Sequence, residues 1–105
     1  MEVYIEKLKS IVEDMPQYNS ALGVKKLHEV FSLYRSVLHS ISSLSEDHKR
    51  CIHDFLLEID SIEHDISLAA TAKSAKERDM AFNDAVRGLR IDIEDLISLS
   101  LNWSK

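Results

Sequence analysis

At 105 residues and 45% apolar content, the chain is sized for one packed domain and is too apolar to remain disordered. Two glycines and one proline (Gly23, Gly88 and Pro16) are too few for a sheet protein, which needs a turn about every 8–12 residues. A formal net charge of −5 argues against nonspecific binding to nucleic acid or to anionic membranes, because both require a basic face.

Apolar residues at spacings of three and four predict four helices. The first places Tyr4, Leu8, Ile11 and Met15 on one stripe, with Ile5 and Val12 beside it. Pro16 ends it, since proline disfavours helical geometry in the residue before it. Asn19 or Ser20 can cap the second helix, read from about Ala21 to Leu44. Its stripe is Val24, Leu27, Phe31, Tyr34, Leu38 and Ile41, with a second row at Val30, Leu33 and Val37. An apolar arc that wide marks it as the most buried element. Ser45 starts the third helix, with Glu46 and Asp47 placed against its N-terminus. The stripe there runs His48, Ile52, Phe55, Ile59, Ile62, Ile66 and Ala69, and Phe31, Phe55 and Ile59 are expected in the core.

The pattern weakens at Thr71 to Ser74, where Ser74 and Glu77 form a capping-box signature for the fourth helix. That helix carries Phe82, Val86, Leu89, Ile93 and Leu96. Beyond it, Ile91, Ile93, Ile97, Leu99, Leu101 and Trp103 alternate as in a strand. A lone strand would have no partner, so continuation of the helix is expected over 97–105, with a docking segment as the alternative. Short loops and stripes of this spacing predict an all-α, antiparallel four-helix bundle, with residues 1–105 as a single domain.

Charge divides along the chain. Residues 46–65 carry seven acids (Glu46, Asp47, Asp54, Glu58, Asp60, Glu63 and Asp65) against Lys49 and Arg50. Residues 73–90 carry Lys73, Lys76, Arg78, Arg87 and Arg90 against three acids. Either the two faces pack side by side, or the acidic one meets a basic partner. Cys51 is alone, which precludes an internal disulfide and points to a reducing, cytoplasmic setting. Glu2, Glu6, Lys7 and Lys9 interrupt any N-terminal signal, and no run approaches the roughly 18 apolar residues of a membrane span.

Catalytic patterns are weak. His53, Asp60 and His64 share a helix face but fall short of the four ligands of a structural zinc site. Cys51 reads as a small core residue, no Gly-x-Ser-x-Gly elbow is present, and the two glycines stand too far apart to cradle a phosphate. Four-helix histidine phosphotransfer domains carry a histidine followed by lysine and glycine. The stretch His39-Ser40-Ile41-Ser42-Ser43 has the histidine, with serines at the other places. No enzyme activity, cofactor or metal is expected. The stronger pattern is Asp92, Glu94 and Asp95 interleaved with Ile93, Leu96 and Ile97. Arg87 and Arg90 lie upstream, at ion-pair spacings from Glu94. An acid–apolar boundary of this kind suits protein docking.

The same stretch, Val86-Arg87-Gly88-Leu89-Arg90-Ile91-Asp92-Ile93-Glu94-Asp95-Leu96-Ile97-Ser98, resembles a run in the Rx-type N-terminal coiled-coil domain of plant nucleotide-binding, leucine-rich-repeat immune receptors. Phe82 stands where that family often has tryptophan, and Glu58-Ile59-Asp60-Ser61-Ile62 resembles a stretch upstream of its acidic motif. The likeness covers about residues 58–98. It departs at Ser98, where the family has an acid, and does not extend to the first 45 residues. It implies a signalling and oligomerisation module of a larger receptor in plant defence, with Glu94 and Asp95 contacting basic residues elsewhere in that receptor. The alternative is a stand-alone adaptor or inhibitor of bacterial or phage origin. In both readings Arg87, Arg90, Asp92, Glu94, Asp95, Leu96 and Ile97 form the surface that binds a protein partner, a second copy included.

Overall fold

Serine caps and one proline set the helix boundaries. The computed structural model describes residues 1–103, with α1 at Glu2–Glu13, α2 at Ala21–Ser42, α3 at Glu46–Ala69 and α4 at Ala75–Trp103. The Ser20 hydroxyl accepts from the Gly23 N–H at 3.0 Å, that of Ser45 from His48 at 3.1 Å, and that of Ser74 from Glu77 at 3.0 Å. Each satisfies an N–H that the first helical turn leaves free. Asn19 instead donates to Asp79 at 2.6 Å, tying the α1–α2 loop to the start of α4.

Each helix packs on the next and α4 closes back on α1, giving the antiparallel four-helix bundle, 47 × 23 × 17 Å. Its core runs through Leu8, Phe31, Tyr34, Leu38, Ile41, Ile52, Ile59, Leu89, Ile93 and Leu96, all fully buried. The tail is helical through Trp103, whose ring stacks on His48 with centroids 4.3 Å apart, pinning the end of α4 to the start of α3. Residues 104–105 of that tail lie outside the described residues. Among the described residues no helix is long and apolar enough to cross a membrane.

Three core assignments change. Val24 and Leu33 are 37% and 53% exposed, because the outer face of α2 that carries them has no helix packed on it. Phe55 is half-buried against the core rather than within it. α1 has 12 residues and α3 has 24, about 18 Å against 36 Å of rise, so part of the α3 stripe has nothing opposite it.

The two glycines differ in their surroundings. A Cβ on Gly23 would run into the Tyr18 carbonyl oxygen, whereas one on Gly88 would meet only Ile62 Cδ1 at an ordinary 3.6 Å. Gly23→Ala is expected to lower stability by about 1–2 kcal/mol, because the preceding loop must shift. Gly88→Ala is expected to raise it by about 0.5–1 kcal/mol through helix propensity alone. Urea unfolding of the two variants measures both signs.

Candidate docking site at the α3–α4 seam

The stretch of α4 singled out from sequence divides between core and surface. Leu96 is fully buried, so it cannot meet a partner. It continues the series Leu89, Ile93, Leu96 and Ser100 that α4 turns toward the bundle interior. Ile97 is half-buried against the core, while Glu94 and Asp95 are exposed. The arginines do not form the ladder to Glu94. Arg87 pairs with Asp84 at 3.1 Å, and Arg90 is exposed with no ion pair among the described residues. The acidic face of α3 is likewise met from another side, since Arg35 of α2 lies 2.6 Å from Asp60 and 2.8 Å from Glu63. The basic residues of α4 take no part in that contact.

Asp92 is the unusual residue. It belongs to the series Phe82, Ala85, Leu89, Asp92 and Leu96, spaced three and four, and is its one charged member. That spacing holds it half-buried at the seam with α3, where it opposes Glu58. Glu58, Ser61 and Ile62 of α3 and Gly88, Ile91 and Asp92 of α4 line a shallow groove of about 300 Å³. Ile91 is 50% exposed, so the groove has an apolar wall open to a partner. Gly88, lacking a side chain, keeps the floor open beside Ile62.

The electrostatics of the seam are strained. Burial chiefly, then a hydrogen bond and the negative charge of Glu58, then the charge of Asp95, push the Asp92 carboxyl up to about 7. Two ionised carboxylates are both acceptors, so Asp92 Oδ2, which is buried, has no hydrogen-bond partner unless one of the pair carries a proton. On the inner side, the hydroxyl of Tyr34 from α2 is buried and also lacks a partner. Burial raises it well above its ordinary value, and Asp92, Glu58 and Asp95 add to the effect. Three helices thus bring four polar groups together, and two of them, Tyr34 and Asp92, have a buried oxygen without a hydrogen-bond partner.

Other candidates are less developed. His39, His53 and His64 are exposed, Asp60 is engaged by Arg35, and among the described residues no three potential ligands converge to hold a metal. Cys51 is half-buried, and burial followed by the Asp54 charge pushes its thiol up, away from the reactive thiolate. A cavity of about 400 Å³ opens at one end of the bundle among Val24, Leu27, Ile66, Ala69 and Phe82. Its arginine, Arg78, is already bonded to the Ala72 carbonyl at 2.6 Å.

Reading along α4 found Asp92 but neither of its counterparts. Tyr34 was visible only as a core position, and Glu58 only as part of an acidic run and of the stretch 58–62 that carries the resemblance. The interruption of an apolar series by Asp92 was the signal that a polar partner had to lie across the seam. Comparison with protein-family models, curated proteins and solved structures finds no match to this chain.

Proposed function

We propose that the chain is a non-catalytic helical module that binds another protein through the α3–α4 seam and the adjoining acids of α4. The observation that carries this reading is the groove where Glu58 and Asp92 stand beside exposed Ile91, an acid–apolar boundary with unsatisfied hydrogen-bonding groups. Glu94 and Asp95, exposed on α4, extend the acidic surface beyond it. The finer reading, a signalling and oligomerisation domain of an immune receptor, draws on the resemblance of residues 58–98 and on the exposure of those two acids.

Charge reversal tests the assignment. Glu94→Lys/Asp95→Lys is expected to weaken partner binding, or self-association measured by sedimentation, by about tenfold or more. Glu6→Lys/Glu13→Lys changes the net charge equally on the exposed side of α1 and is expected to leave binding within about twofold. Equal losses from both pairs would reduce the effect to net charge and remove the case for the seam.

A further inference from the structure

We propose that the α3–α4 seam seats one arginine side chain of a partner protein, its guanidinium between Glu58 and Asp92 and its stem along Ile62 and Ile91. The inference rests on the docking reading and names what the docking surface recognises. The chain shows on the same helix how paired acids are answered: Arg35 bridges Asp60 and Glu63. Among the described residues no lysine, arginine or histidine pairs with Glu58 or Asp92, so that pair is left without a cation.

The geometry favours guanidinium over ammonium. Carboxyls from two helices line one shallow groove, and a planar fork of donors can serve both. The walls are isoleucine side chains, against which a weakly hydrated group with an aliphatic stem packs well. Tyr34 approaches from the core with a free hydroxyl donor, so a seated Asp92 can accept from the tyrosine inside and the arginine outside. The groups facing Asp92 are Glu58 of α3, Asp95 of α4 and Tyr34 of α2, and none of them is cationic. When empty, the pair shares a proton part of the time near neutral pH. When the cation enters, that proton leaves to solvent and the guanidinium takes its place between the two carboxylates, the pair keeping the same net charge.

The test uses a short alanine–leucine helical peptide bearing one arginine, and its twin bearing citrulline, the uncharged isostere. Amide spectra of the full chain are recorded at neutral pH, with proton release measured by calorimetry in buffers of differing ionisation enthalpy. The arginine peptide is expected to shift Gly88, Ile91 and Asp92 saturably, to bind at least about tenfold more tightly than the citrulline peptide, and to release a fraction of a proton. Asp92→Asn, which keeps the shape of the side chain, is expected to abolish both the preference and the release. Equal binding of the two peptides at the seam overturns the arginine seat while leaving the docking surface. Shifts confined to Glu94 and Asp95 do the same. No binding of either peptide overturns the seat, and the charge-reversal pairs then judge the docking surface separately.

Discussion

Phe31→Ala is expected to cost about 3–5 kcal/mol of folding stability, the range for truncating a fully buried phenylalanine. Phe55→Ala, which a reading of periodicity alone would rank beside it, is expected to cost about half as much or less. Phe31 is 0% exposed within the main cluster on α2, whereas Phe55 packs from its edge. The loss at Phe31 contains two contributions, the apolar surface no longer removed from water and the void that tightly packed neighbours cannot fill. At Phe55 solvent fills much of the void. Denaturant unfolding of the two variants checks the contrast, and equal losses would place Phe55 in the core after all.

The second large effect concerns pH. Unfolded, Asp92 releases its proton near the ordinary value of 3.8, and folded it holds the proton to about 7. Between those values the folded state binds more protons than the unfolded one, so stability falls as pH rises through this window and levels off above it. Fully expressed, such a shift would correspond to about 4 kcal/mol. The side chain is only half-buried, and solvent screening brings the expected loss to about 1–2 kcal/mol. Asp92→Asn carries no charge at any of these pH values. The variant is therefore expected to match the natural chain near pH 3 and to exceed it by about 1–2 kcal/mol near pH 8. A difference that does not change with pH would mean that Asp92 ionises freely in the fold.

This cost at neutral pH bears on the proposed docking site. An aspartate held at a core-flanking position against Glu58 weakens the fold in the form that carries both charges. A partner that supplies a cation removes the penalty, so binding and stability draw on the same interaction. Asparagine would serve the bundle better at this position.

The architecture was largely legible because its signals are local. Pro16, Ser20, Ser45 and Ser74 mark boundaries within a turn, and spacings of three and four identify Leu8, Leu27, Ile52 and Leu89 as interior without reference to any other helix. What failed depended on neighbours. Val24 and Leu33 look interior along α2, but which flank is covered depends on where α1 and α3 pack. Leu96 was assigned both to the stripe of α4 and to its docking face, and burial resolves that conflict in favour of the stripe. The pairing of Arg87 with Asp84 rather than Glu94 is a choice among near-equal surface partners worth a few tenths of a kcal/mol each. The meeting of Tyr34, Glu58 and Asp92 joins three helices across residues 34 to 92, and no pattern within one helix contains it.

The proposed docking surface is tested most directly by photo-crosslinking in the cells that make the protein, with the reactive group placed in turn at Ile91 and at Leu33. Both side chains are apolar and about half exposed, at 50% and 53%, but one borders the acid pair and the other lies on the outer face of α2. Adducts are expected from position 91, suppressed by Glu94→Lys/Asp95→Lys, and absent from position 33. Adducts from position 33 with none from position 91 would contradict the assignment of the α3–α4 seam.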